Sequence, residues 1–280
     1  MPSFHGLGEG TPGMSLRSVP LLRRARKPLL GAAGLLGFLA VWQLIPMLGL
    51  IDREYLPYPT DVAARLTQEL VDLAFWRRLG LTMQAWAIGL TIASLAALAL
   101  GAVIGLVPFL RRATHTTVEF LRPIPSVAIV PVAVIIQGIS IEAALIITVY
   151  ASFWQMFVQV LYGVADVDAV ARDTARSFGL TMTERLTKLV LPTALPYVMT
   201  GLRLAASVAL ILAITAEMVI GNPGLGTLIM LSRSTPGDAA GLYAFVVVAG
   251  LLGVTINAVF RRIERRVLHW HQSIRGEEIL

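Results

Sequence analysis

The sequence contains no cysteine, so it holds neither a disulfide framework nor a thiolate metal site. Charge is scarce. Asp, Glu, Lys and Arg make up 14% of the chain, against about 25% in ordinary soluble domains. No Gly-x-x-x-x-Gly-Lys-[Ser/Thr] stretch is present, which excludes the usual phosphate loop for ATP. Basic and aromatic residues are not interleaved, so there is no base-stacking platform and no nucleic-acid partner is expected. The four histidines do not cluster as metal ligands. His269 and His271 flank Trp270 and read as interfacial residues. No Ser-His-Asp arrangement is suggested either. The chain is therefore read as a non-enzyme, with no catalytic residue, no metal and no cofactor of its own.

What the sequence has in abundance is apolar surface. Of 280 residues, 56% are hydrophobic, and the mean hydropathy is +0.74. That composition indicates an integral membrane protein. A polar, basic start (Arg17, Arg23, Arg24, Arg26, Lys27) precedes an apolar run from Pro28 to Ile51. The run is too long for a signal-peptide core, and no small-x-small cleavage site follows it. It is read as an uncleaved first span. A helix needs about 20 apolar residues to cross the bilayer core. Six stretches qualify or nearly qualify: 29–51, 81–110, 123–139, 141–163, 194–220 and 241–260. The third is short and carries Pro123, Pro125 and Pro131, so it belongs inside the bundle, where neighbours cover the freed backbone. The expected fold is all-α and polytopic, with six transmembrane helices over 28–265 and polar tails at 1–27 and 266–280.

Orientation follows from Lys and Arg. With both termini in the cytoplasm, seventeen cationic residues fall inside and five outside (Arg53, Arg65, Arg77, Arg78, Arg233). This bias supports the N-in, C-in arrangement. Two outer segments stand out. Residues 60–78 place Val62, Leu66, Leu70 and Leu73 at helical spacing, with Thr60 or Asp61 as N-cap. This is a short amphipathic helix on the outer surface, or a packing strut. Residues 221–240 are rich in Gly and Pro and read as an outer loop.

Polar groups at membrane depth face the bundle interior, because unpaired ones cost several kcal/mol. The candidates are Gln137, Glu142, Gln155, Gln159, Arg203, Ser207, Glu217 and Asn257. Gln137, Gln155, Gln159, Ser207 and Glu217 are candidates for a translocation path. Gln155 and Gln159 share one helix face and either line that path or hydrogen-bond between helices. Glu217 either pairs with the outer loop, contacts a passing solute, or serves as a structural group at a helix end. Arg203 reads as a side chain snorkelling to inner headgroups.

The strongest local signal lies at 166–192. Asp166 or Asp168 caps a helix in which Val167, Val170, Ala171, Thr174, Ala175 and Phe178 form one apolar stripe. Gly179 stands where a left-handed C-cap ends it. Thr181-x-x-Glu184 is a capping-box pattern that restarts a helix, and Glu184 and Lys188 form an i, i+4 pair. Met182, Leu186, Leu189 and Val190 make its apolar face. Pro192 and Pro196 then break or kink the chain. An elbow with an apolar face calls for something to dock on, either a partner or the chain's other loops.

Asp173-Thr174-Ala175, Gly179 and Leu191-Pro192 resemble the Glu-Ala-Ala loop of ABC-importer permeases, with Asp for Glu and Thr for Ala. The resemblance runs from about Leu56 to Trp270 and is to the nitrate, sulfonate and taurine branch. Leu56-Pro57-Tyr58-Pro59-Thr60-Asp61, Leu121-Arg122-Pro123-Ile124-Pro125, Ser177-Phe178-Gly179, Thr200-Gly201-Leu202-Arg203, Ala216-Glu217-Met218 and Gly224-Leu225-Gly226 carry it. Ile136-Gln137-Gly138 departs from the Trp-Phe-Gly type of many relatives. The resemblance implies a type I importer permease fold in a bacterial inner membrane. It implies that Asp173, Thr174, Ala175, Phe178, Gly179, Leu191 and Pro192 couple to a cytoplasmic ATPase dimer, which binds ATP and Mg. It also implies a second permease copy or paralogue, an extracytoplasmic solute-binding protein, and a small anionic solute of the sulfonate, taurine, nitrate or aromatic-acid type. Two rivals predict other features. A secondary transporter calls for midplane carboxylates and an inverted repeat, whereas Glu142 and Glu217 fall near the outer boundary. A membrane scaffold would need no polar residues in the fourth and fifth spans.

Overall fold

The computed structural model describes residues 20–270, with side chains from Leu29 onward. Residues 1–19 and 271–280 of the two expected tails lie outside the described residues, and with them Arg17, His271 and Arg275. All regular elements among the described residues are helical. The chain divides into two units, residues 1–53 and 54–280.

The first unit contains α1 (Pro20–Met47). Its segment Leu29–Met47 has a mean hydropathy of 1.8, enough to cross a membrane. Phe38 and Trp42 sit one turn apart on it, with ring centroids 6.0 Å apart.

The second unit opens with α2 (Pro59–Leu70). Its N-cap is Tyr58, without a side-chain cap bond. Pro59, whose ring presets a helical φ, takes the first position, so Thr60 and Asp61 fall in the first turn rather than at the cap. The Asp72 carboxylate accepts from the Ala74 N–H at 2.9 Å and starts α3 (Leu73–Leu106) there. Leu73 therefore belongs to the next helix, and the second span begins at Leu73 rather than near 81. Of the expected stripe, Val62 is buried while Leu70 is exposed. α2 packs on α11 (Ala239–Val267), with the Arg65 guanidinium 3.4 Å from Asp238.

Pro108 ends the second span and opens α4 (Pro108–Leu121). The third apolar stretch begins at a sharp bend. α4 meets a 3₁₀ turn (Ser126–Ile129) and α5 (Val130–Gln137) at a bend of 83°. At 1.5 Å per residue, Ser126–Gln137 covers about 18 Å, short of the ~30 Å hydrocarbon core. Pro125 sits at the N-cap of that turn, so the prolines place the bend. Gly138, at φ 69° and ψ −161°, turns the chain through a region open mainly to glycine. The Ser140 hydroxyl then caps α6 (Ile141–Ala165) through the Ala143 N–H at 3.2 Å.

After α7 (Ala169–Ser177), the chain runs through α8 (Met182–Arg185) and a π turn (Leu186–Val190) into α9 (Leu191–Ile220). The expected break at Pro192 does not occur. Pro192 lies in the first turn of α9, and the π turn gives the Leu191 N–H to the Leu186 carbonyl. Pro196 lies inside α9. The expected outer loop at 221–240 contains α10 (Leu225–Ser234). Its turn residues flank a helix because Gly221–Gly224 and Thr235–Asp238 bracket a mostly apolar segment.

α6 packs against both α3 and α9. The buried surfaces are small: Ala93, Ala97, Ala144, Ala151, Ala205, Ala206, Ala209 and Ala213 are enclosed. Large side chains such as Leu95, Leu100, Ile211, Leu251 and Val254 point outward and are exposed. Lipid tails are as apolar as Leu, so association rests on close van der Waals approach through small residues. A Cβ at Gly101 would meet Val160 Cγ1 at 2.8 Å, and one at Gly201 would meet Gln159 Cβ at 2.8 Å. At Gly80, by contrast, nothing lies within 4 Å. Gly101→Ala is expected to destabilise the fold by about 1–3 kcal/mol through overpacking, while Gly80→Ala leaves it unchanged or slightly more stable. Thermal unfolding of the two purified variants in detergent checks this.

Candidate functional site: an elbow and a buried carboxylate

Two constellations concentrate the polar and unpartnered features of the second unit. The first is the elbow between α6 and α9. Asp166 closes α6, and Asp168 caps α7 by accepting from the Ala171 N–H at 2.8 Å. α7 ends in a paired-bond turn. Leu180 N–H reaches the Ala175 carbonyl at 3.0 Å, and Gly179 N–H reaches that of Arg176 at 2.9 Å. This 6→1 and 5→2 pairing needs a left-handed residue between, and Gly179 supplies it at φ 71°. The capping box follows at once. The Thr181 hydroxyl accepts from Glu184 N–H at 3.3 Å, and the Glu184 carboxylate accepts from Thr181 N–H at 3.0 Å. Lys188 closes on Glu184 at 3.0 Å. Both arms of the elbow are thus capped through their own backbone ends.

The expected single stripe on α7 resolves into two edges. Val167 and Ala175 are buried against the protein, with Ala171 half-buried between them. Val170 is 72% exposed and Phe178 79% exposed, with Thr174 exposed between them. Each edge has spacing i, i+4, i+8, and the two are adjacent on the helix. Periodicity identified the apolar residues, but two edges one residue apart in register read as one. Asp173 and Arg176 pair at 3.5 Å beside the outer edge. Leu191, exposed, and Pro192, half-buried, stand at the head of α9.

The second constellation is centred on Glu217. Its side chain is 1% exposed. Oε2 accepts from the Thr82 hydroxyl at 2.9 Å and from the Gly226 N–H at 2.9 Å. The same Thr82 oxygen accepts from the Leu225 N–H at 2.8 Å. One carboxylate oxygen therefore ties α9 to α3 and to the start of α10. Oε1 has no hydrogen-bond partner among the described residues. A Cβ at Gly224 would collide with the Glu217 carboxylate, and one at Gly226 with the Ile214 carbonyl. Thr227 hydroxyl donates to the Asn222 carbonyl and closes the loop. Thr82 gave no signal in the sequence, because a lone Thr in an apolar span is unremarkable until its partner is placed.

The remaining polar candidates are dispersed. Gln137 is exposed at the end of α5, Gln155 is exposed on α6, and Gln159 is half-buried under Gly201. The Ser207 hydroxyl donates to the Arg203 carbonyl of its own helix at 3.2 Å. Arg203 is not left to headgroups: it pairs with Glu264 of α11 at 3.3 Å.

Glu217→Leu would leave the Gly226 N–H unpaired in a buried site and the Thr82 hydroxyl only the Arg78 carbonyl at 3.3 Å to donate to. The expected loss is about 1–3 kcal/mol per unpaired group, with Glu217→Gln milder because it keeps one acceptor. Unfolding temperature, together with protease sensitivity of 221–238, separates the two.

The family model described as binding-protein-dependent transport system inner membrane component matches residues 89–269. The chain is 28% identical to the taurine transport system permease protein of Escherichia coli, over 89% of this chain and 92% of that protein. It is 23% identical to an aliphatic sulfonates transport permease protein of Bacillus subtilis, covering 85% and 86%. It is 24% identical to the nitrate import permease protein of Synechococcus elongatus, covering 82% and 86%. Among solved structures, the inward-facing MetNI methionine ABC transporter is similar in fold. The TM-score is 0.61 at 19% identity, over 69% of this chain and 96% of the matched one. The chain therefore belongs to the family of binding-protein-dependent transport system inner membrane components, the permease subunits of ATP-binding-cassette importers, and is a transport subunit rather than an enzyme.

Proposed function

We propose that this permease carries a small anionic solute of the sulfonate, taurine, nitrate or aromatic-acid type across a bacterial inner membrane, and that the elbow at 166–192 couples it to a cytoplasmic ATPase. The observation that carries the coupling role is the outer edge of α7. Val170 and Phe178 project at 72% and 79% exposure from a helix capped at both ends. Large apolar side chains held on a rigid, polar-flanked helix suit insertion into a groove on a partner.

The elbow end of the molecule is the basic end. Arg111, Arg112, Arg172, Arg176 and Arg185 lie around one cavity there, which supports a cytoplasmic elbow and cytoplasmic termini. Glu217 and α10 then belong to the outer end. An extracytoplasmic binding protein delivers the solute on that side, and the ATPase dimer binds ATP and Mg on the other. The path lies between this permease and a second copy or paralogue. The solute class rests on the taurine, sulfonate and nitrate permeases to which the chain is similar.

Ala175 is buried, so a charge there tests folding. Val170 and Phe178 are exposed, so a charge there tests docking. Phe178→Asp is expected to lower ATP-dependent uptake at least tenfold, in keeping with the loss of an interface anchor worth about 2 kcal/mol. Expression and unfolding temperature should stay unchanged. Uptake assays in reconstituted vesicles, paired with ATPase co-purification, make the measurement. Normal uptake in Phe178→Asp and in Val170→Asp would remove the coupling role.

A further inference from the structure

A cavity of about 900 Å³ opens between α4 and the elbow. Its polar lining is Arg111, Arg112, His115 and Thr116 from α4, with Arg172, Arg176 and Arg185 from the elbow. No carboxylate among the described residues lines it. Two nearby acids are spent on its rim: Glu119 lies 3.4 Å from His115, and Asp173 lies 3.5 Å from Arg176. Arg111, Arg112, Arg172 and Arg185 make no ion pair among the described residues. Arg112 and Arg172 reach only backbone carbonyls, at 3.4 and 3.5 Å. The Nε of Arg185 is buried and has no hydrogen-bond partner among the described residues. The same guanidinium otherwise touches the Met182 sulfur at 3.7 Å.

We propose that this cavity is a binding site for a phosphate-bearing anion, with the headgroup of an acidic phospholipid as the source the geometry favours. Like-charged guanidinium groups converging on one space repel each other unless an anion joins them. Arg forks match phosphate oxygens in geometry and form charge-assisted hydrogen bonds to them. The Arg185 guanidinium lines the cavity and carries an Nε–H that has no partner among the described residues. The volume falls within the range of small-molecule sites, about 300–1,000 Å³. It exceeds what one phosphate needs, and Leu106, Val164 and Val190 give the rest of the wall an apolar character. An anion joined to an apolar body fits both parts of that wall.

α4 supplies the reason to favour a lipid. Phe109 and Phe120 are 71% and 72% exposed. They stand eleven residues apart, about three turns, and so on one face. Exposed aromatics on one face of a helix that carries Arg111 on the opposite face and Arg112 on its flank are the pattern of a helix lying in a membrane interface. The site spans α4 and the elbow, so an occupied site would tie the elbow to that interfacial helix. Binding itself does not depend on the coupling role argued above.

Full-length permease in non-ionic detergent, without the ATPase, would be titrated with three probes. These are short-chain phosphatidylglycerol, short-chain phosphatidylcholine and inorganic phosphate. Saturable binding of phosphatidylglycerol is expected, weakening with added salt, with none of phosphatidylcholine. Arg111→Gln with Arg185→Gln should weaken it at least tenfold. Arg111→Gln alone, on an exposed helix, guards against misfolding and should weaken it severalfold. Arg233→Gln, a charge-matched change on α10, should leave it unchanged. If inorganic phosphate binds as tightly and with the same Arg dependence, the site stands and its source is soluble phosphate. Equal binding by wild type and the Arg variants overturns the proposal. So does absence of binding to either anion.

Discussion

The close approach of α3, α6 and α9 is the constraint on which the rest depends. Helices in a bilayer gain little from hiding apolar side chains from apolar lipid. They gain from contact, and contact requires backbones to come near. Gly101 against Val160 and Gly201 against Gln159 leave no room for a methyl group, and buried alanines recur along the same seams. Bulk is turned outward, toward lipid.

Both functional constellations are fastened to the ends of this trio. At one end, Glu217 on α9 and Thr82 on α3 share the N–H groups that begin α10. Three elements are tied there by one carboxylate oxygen and one hydroxyl. At the other end, the elbow links the last turn of α6 to the head of α9. Its arms are closed by a paired-bond turn and a capping box, so it is stiff within itself. The π turn at Leu186–Val190 lies within the elbow, directly before α9, and π turns often mark functional adjustments in helices. On the proposed reading, displacement of α7 acts on both closely packed helices at once.

Much of this was legible in the sequence, and the failures have physical causes. The elbow's ends were readable because caps are local: Asp168, Gly179 and Thr181-x-x-Glu184 act within four residues of themselves. The apolar content of α7 was readable too, but which edge faces inward depends on what lies beside it, and periodicity carries no such information. α10 was hidden because its flanking Gly and Pro residues outweighed a ten-residue apolar segment. The bend between α4 and α5 was signalled by Pro123 and Pro125, but the short helix α4 before it was not, because its polar residues interrupt the apolar pattern. Thr82 with Glu217, and Arg203 with Glu264, are pairs far apart in the chain, and a single sequence offers no signal for pairing at that distance. The glycines of 224–226 were visible as a match to relatives, while the reasons for them, the Glu217 carboxylate against Gly224 and the Ile214 carbonyl against Gly226, required the third dimension.

The absence of native cysteine makes the most direct test clean. A single cysteine would be placed at Phe178 and, separately, at Leu251 on the exposed face of α11, and a short thiol-reactive cross-linker applied to membranes containing the assembled importer. The account predicts a covalent adduct with the ATPase subunit from position 178, sensitive to ATP, and none from position 251. An adduct absent at 178, or at 170 when that position is tested the same way, in membranes where uptake is intact would contradict it.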